Sequence, residues 1–180
     1  MFRHVSQRQK MFGVASALAL IIIGSVVYML FFKHRTPDDV PTFGDAYDLV
    51  LQNYDGENVR LTEFKGQILV IYSWASWCPY CGDELKNLAM LKEKYGDRIH
   101  IVAINRAEPL AVAREFTDAI QLSQALVFLL DPNDSYYKKI EGYAMPETVF
   151  INNYGEVLFH QHGPMQLPEV IERIDQIIGK

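Results

Sequence analysis

A chain of 180 residues with 49% hydrophobic composition is long enough for one ordinary domain with a real core plus short appendages. Its formal net charge of -5 supplies no basic face, which argues against phosphate-backbone binding and so against a nucleic-acid partner. Two cysteines cannot make a disulfide scaffold; if their sulfurs do chemistry, they do it with each other.

Residues 11–32 contain no charged side chain. At about 1.5 Å per residue a helix of that length crosses a hydrocarbon core of about 30 Å, so this segment is expected to be a transmembrane anchor. Arg3, Arg8 and Lys10 precede it and Lys33 and Arg35 follow it. The positive-inside rule then favours residues 1–10 as a cytoplasmic N-terminus, with the rest of the chain on the periplasmic or extracytoplasmic side of the cytoplasmic membrane. A cleaved signal peptide is the rival, but its apolar stretch is normally shorter, and no small-x-small site closes this one. Residues 33–42 hold two prolines and two aspartates without apolar periodicity, and read as an extended linker. The folded domain is expected over residues 43–180.

Within that domain, residues 46–51 and 58–61 flank Tyr54-Asp55-Gly56-Glu57, whose Asp-Gly signals a hairpin. The β-branched run 68–72 has the continuity of a strand buried on both faces. Leu85, Leu88 and Leu91 recur at helical spacing, predicting a helix from Pro79 to about Tyr95. Strand 99–105, a helix over 108–120 and an apolar run 126–130 follow. Asp131-Pro132-Asn133-Asp134 stops that run before a short helix at 135–140. Strands 147–152 and 156–160 flank a second hairpin turn at Asn153-Tyr154-Gly155, and an amphipathic helix closes the chain over 167–178. Strands separated by helical crossovers imply an α/β fold with a parallel core and late antiparallel strands.

Both cysteines lie in Cys78-Pro79-Tyr80-Cys81, where a buried strand hands over to a helix N-terminus. Unpaired N–H groups and the positive end of the helix dipole stabilise a thiolate there, so Cys78 is expected to be a nucleophile at neutral pH, with Cys81 resolving the mixed disulfide. Pro79 suits a first helical turn. Structural zinc is the competing use of Cys-x-x-Cys, but it needs four ligands and no second such pair exists. His160 and His162 alternate along a strand and point the same way, yet the usual histidine spacing for zinc is three to five residues. No metal ligand is therefore expected, and the histidines read as surface positions.

The run Trp74-Ala75-Ser76-Trp77-Cys78-Pro79-Tyr80-Cys81, preceded by Phe64-Lys65-Gly66-Gln67 and followed by Glu84-Leu85, resembles the thioredoxin superfamily. Within it the chain is similar to the membrane-anchored TlpA-like and ResA-like branch, over roughly residues 43–178. Two more places carry the likeness: Ala144-Met145-Pro146-Glu147-Thr148-Val149-Phe150-Ile151, like the loop whose cis-proline faces the cysteines, and the N-terminal hairpin, which plain thioredoxins lack. The resemblance implies a thioredoxin-like fold with an added N-terminal β-hairpin, preceded by one transmembrane helix. It implies thiol-disulfide exchange with no cofactor beyond the Cys78/Cys81 pair. The expected partners are proteins with cysteine pairs, for example apocytochrome c or metal-site cysteines, and a membrane thiol electron donor.

Substrate contact is then expected at Trp77, Pro79, Tyr80, Met145 and Pro146, with Trp74 in the core. Glu84 is the expected proton exchanger for Cys81, because the position held by a buried aspartate in ordinary thioredoxins is Tyr72 here. Two residues depart from the pattern. Tyr80 gives the Cys-Pro-Tyr-Cys of glutaredoxins, whose other features are absent. Glu147 stands where threonine is common, and is expected either beside the substrate groove, raising the Cys78 pKa, or in solvent at a strand start. A protein oxidase or isomerase would use the same parts in reverse, and a copper carrier would use the two sulfurs plus a histidine. A peroxiredoxin would need a Pro-x-x-x-Thr-x-x-Cys run, which is missing.

Overall fold

The six residues of β3, Leu69–Trp74, are apolar or small and are buried throughout, so the strand is the middle of the molecule. The computed structural model describes residue 44 and residues 48–179. The expected N-terminus, anchor and linker, residues 1–10, 11–32 and 33–42, lie outside them. Among the described residues no helix is long and apolar enough to cross a membrane.

In chain order the elements are β1 (Val50–Asn53), β2 (Asn58–Arg60), β3, α1 (Cys81–Tyr95), β4 (His100–Arg106), α2 (Leu110–Ala119), β5 (Val127–Asp131), α3 (Ser135–Lys139), β6 (Glu147–Ile151), β7 (Val157–His162) and α4 (Leu167–Ile178). The strands form one sheet in the order β2-β1-β5-β4-β3-β6-β7. β3, β4 and β5 run parallel, joined by helical crossovers, while β6 and β7 add antiparallel strands on the other side of β3. β1 and β2 pair antiparallel around the Asp55-Gly56 turn, and β1 joins the sheet through β5. Both hairpin turns are built by an asparagine. Asn53 Oδ1 accepts from the N–H groups of Asp55 and Glu57, and Asn152 Oδ1 from those of Tyr154 and Glu156.

Side chains alternate across β3 and so divide the core. Val70, Tyr72 and Trp74 face α1 and α4 through Leu85, Leu88 and Ile174; Leu69 and Ile71 face Leu61, Tyr136 and Val149. Fully burying one such leucine stabilises the fold by about 2 kcal/mol. The consequence for the site is that Tyr72, Trp74 and both cysteines share one core cluster.

Several boundaries differ from expectation. α1 starts at Cys81 rather than Pro79, because the Cys81 N–H bonds the Cys78 carbonyl three residues back, leaving residues 78–80 as a turn. α2 starts at Leu110 rather than at Glu108, since Pro109 is extended and Glu108 is engaged elsewhere. β7 runs on to His162, two residues further than predicted.

Candidate active site

Cys78 and Cys81 are joined in a disulfide with Cα atoms 5.5 Å apart. Both are buried, Cys78 at 3% exposure and Cys81 at 0%, so of the two only Cys78 meets solvent at all. Cys78 lies ahead of the helix, on a turn closed by its N–H to the Ala75 carbonyl at 3.1 Å. The turn delivers the pair to the first residues of α1.

That turn is held from below by a residue the sequence reading did not select. Glu108, between β4 and α2, accepts from the Ser76 N–H at 2.8 Å, the Ser76 hydroxyl at 2.5 Å and the Asn105 side-chain amide at 2.7 Å. One signal was available: Asn105 is a polar residue inside an apolar strand, fully buried, and a buried amide needs a partner.

Around the disulfide, Trp77 and Tyr80 are 62% and 55% exposed and Pro79 is exposed, as a contact surface requires. Trp74 is fully buried against Phe116 and Phe128. The Met145–Pro146 peptide bond is cis. Glu147 pairs with Ser73 across β6 and β3, so this loop sits at the end of β3 that leads into the cysteines. Met145 packs against the cluster that contains both sulfurs. The structure therefore brings together the pair, Trp77, Pro79, Tyr80, Met145 and Pro146 at the end of β3 that leads into the cysteines.

Glu84 is nearly buried, at 9% exposure, and its Oε1 accepts from the Met165 N–H at 2.9 Å. The Tyr72 hydroxyl approaches the carboxyl without well-formed hydrogen-bond geometry. Burial pushes the Glu84 pKa up, and the Met165 N–H and Tyr72 only partly oppose it. Burial, with the Glu84 charge beside it, pushes the Tyr72 pKa up as well. Beside them is a cavity of about 10 Å³, room for about one water molecule, lined by Tyr72, Glu84, Asn87, Thr148, Met165 and Val170. Tyr72 and Glu84, paired by the sequence reading as a lost acid and its substitute, do meet.

Glu147 is in neither place expected of it. Its side chain is fully buried, and both carboxylate oxygens are turned inward. Oε1 accepts from the N–H groups of Tyr143 and Ala144, each at 2.7 Å; Oε2 lies 2.9 Å from His160 Nε2, and Oε1 lies 3.1 Å from His162 Nδ1. Burial alone would raise its pKa, but the Ala144 N–H, His162, the Tyr143 N–H and His160 outweigh it and hold the carboxyl below the usual range. The carboxylate thus closes the loop 143–147 on itself and ties it to β7. His160 and His162 are half-buried partners of Glu147 rather than free surface positions.

Comparison with known proteins agrees with this geometry. The chain is 27% identical over 181 residues to the thiol-disulfide oxidoreductase ResA of Halalkalibacterium halodurans, covering 97% of this chain and 98% of that one. It is 27% identical over 172 residues to the ResA of Geobacillus thermodenitrificans, covering 95% and 97%. The fold is shared with a crystal structure described as a putative thiol:disulfide interchange protein DsbE from Chlorobium tepidum, at a TM-score of 0.68 and 23% identity, over 74% of this chain and 95% of that one. The Redoxin family pattern matches residues 36–177. With a Cys-x-x-Cys disulfide at the head of α1 and that match over most of its length, the chain belongs to the Redoxin family and is a thioredoxin-like oxidoreductase of the thioredoxin superfamily.

Proposed function

We propose that the protein is anchored in the cytoplasmic membrane by residues 11–32 and reduces disulfides of exported proteins on the extracytoplasmic side, with apocytochrome c or metal-site cysteine pairs as substrates. One observation carries the substrate class: the buried Cys78–Cys81 pair is bordered by exposed Trp77 and Tyr80 and by the Met145–Pro146 loop. An extended peptide laid along the Met145–Pro146 loop presents its own disulfide to Cys78 and gains backbone pairing as it does so.

In the reducing direction the Cys78 thiolate attacks one substrate sulfur, forming the Cys78–substrate disulfide and expelling the other substrate sulfur, which takes up a proton. Cys81 then gives up its proton, attacks Cys78 Sγ and releases the second substrate thiol. Two electrons pass to the substrate and the Cys78–Cys81 disulfide is left. Glu84, whose pKa is pushed up by burial, takes the Cys81 proton in this scheme, with the water-sized cavity beside it as the route outward. A membrane thiol donor must then return two electrons to the disulfide.

Running the same steps backward makes the protein an oxidase or isomerase. Alkylation trapping in growing cells separates the two: a mostly reduced Cys78/Cys81 pair is expected, and a mostly oxidised one overturns the reducing direction. Cys81→Ala should accumulate mixed disulfides through Cys78 whose partners are exported proteins with cysteine pairs. Anchoring is checked by fractionation, with the domain expected in the membrane fraction and open to protease only from outside.

A further inference from the structure

β7 places two imidazoles on one face, two residues apart, with their ring centroids 4.1 Å apart. The Glu147 carboxylate, brought in by β6, closes the third side, and the donor atoms of the three residues all lie within 4.8 Å of one another. Two ligands held about 2.1 Å from one ion stand roughly 2.9 to 3.4 Å apart at octahedral or tetrahedral angles. Oε2 to His160 Nε2 is 2.9 Å, within that range; His162 Nδ1 lies 3.1 Å from the other oxygen, Oε1, so its ring turns toward Oε2 when an ion binds.

The hydrogen bonding separates the two carboxylate oxygens. Oε1 is fixed by the backbone N–H groups of Tyr143 and Ala144, the kind of support that orients a metal-ligating carboxylate. Oε2 has His160 as its hydrogen-bonding partner, so the imidazole proton there occupies the place an ion would take. His162 Nδ1 is buried and out of line for a hydrogen bond, although Oε1 is close. Tyr143, 76% exposed, stacks on the His162 ring at 4.1 Å and covers it on the solvent side.

We propose that Glu147, His160 and His162 form a binding site for a divalent transition ion of the zinc class, separate from the cysteines. Two imidazoles and one carboxylate suit Zn²⁺, Co²⁺ or Ni²⁺, whereas Cu⁺ favours thiolates and Mg²⁺ or Ca²⁺ favour all-oxygen sets. Three protein ligands leave the remaining positions to water. Because Glu147 follows Pro146 directly, the bound ion braces the loop that borders the disulfide. The site does not depend on the direction, or even the existence, of thiol exchange.

The test is cobalt titration of tag-free, full-length protein in detergent, fully oxidised so that both sulfurs are tied in the disulfide. Expected are one equivalent of bound Co²⁺ with visible absorption bands, displacement by Zn²⁺, and a higher Tm with Zn²⁺ present. His160→Ala and His162→Ala should each weaken binding at least about tenfold. The Cys78→Ser Cys81→Ser variant should bind as the wild type does. Absence of saturable uptake at millimolar Co²⁺ overturns the proposal. So does uptake that persists in the His160→Ala His162→Ala variant or disappears in the cysteine variant. Should the histidine variants misfold, paramagnetic broadening of the His160 and His162 ring-nitrogen signals in the wild-type protein decides the matter, and unbroadened signals overturn the assignment.

Discussion

Glu84 and Glu147 are both glutamates of the site that the fold has removed from water, and their carboxyls are driven in opposite directions. Each suffers the same penalty for burial of a charge. Glu84 is offered one backbone N–H, from Met165, and an imperfectly aligned tyrosine hydroxyl, and the neutral form gains. Glu147 is offered two backbone N–H groups and two imidazoles, and the anion gains. Burial sets the cost, and the supply of donors sets the sign. The two residues are accordingly suited to different work. A carboxyl that keeps its proton to higher pH suits the proton exchange proposed for Glu84; one that is ionised and fully bonded is a strut.

The strut should show the largest effect when it is removed. Glu147→Ala takes away the acceptor of the part-buried Tyr143 and Ala144 N–H groups, each loss costing about 1–3 kcal/mol, and cuts the tie to His160. A loss of about 3 kcal/mol or more is expected from the denaturant midpoint of the oxidised protein. Glu147→Gln keeps one acceptor oxygen and should lose less. If Glu147→Ala shifts stability by under about 1 kcal/mol, the loop is held by something else.

Glu108 is the intermediate case, a half-buried carboxylate whose three donors come from Ser76 and Asn105. Glu108→Ala leaves the Ser76 N–H and hydroxyl to be rescued by water, so a smaller loss of about 1–2 kcal/mol is expected. The effect on exchange kinetics should be proportionally greater, because residues 75–80 carry Cys78. Equal rates of mixed-disulfide formation by wild type and Glu108→Ala would show that the clasp does not position the nucleophile.

How far these roles could be read beforehand depends on the distance over which each is set. The buried strand, the Cys-x-x-Cys at its end and the proline loop are local patterns, and each fell where its residues predicted. Tyr72 and Glu84 were also legible, because a family position and a helical spacing both pointed to them. Glu147 was not. Its surroundings depend on the register of β6 against β7, which pairs Glu147 with His162 only because of an irregularity between Phe150 and Ile151. Extending the pairing of Ile151 with Val157 without that shift would set Glu147 opposite Gln161 and turn both histidines to the other face. Glu108 escaped for a related reason: two of its three donors come from Ser76, 32 residues earlier, and buried Asn105 is the one local sign of them.

Glu84, the proposed proton carrier, gives the smallest change in stability and the sharpest in its pH dependence. Because the folded Glu84 pKa stands above the ordinary value of 4.5, the native state holds a proton that the unfolded chain has released. Stability must then fall as pH rises from 4.5 through the raised folded value, and level off above it. Glu84→Gln is neutral at every pH and keeps an oxygen for the Met165 N–H, so this fall should vanish. Plotted as Tm against pH for the oxidised proteins, the gap between the two should be constant at low pH, widen in favour of the glutamine variant as pH rises, and then stay flat. A gap that moves in favour of wild type with rising pH would mean that the buried carboxylate is stabilised. Glu84 would then belong with Glu147 as a strut, and Cys81 would need another acceptor for its proton.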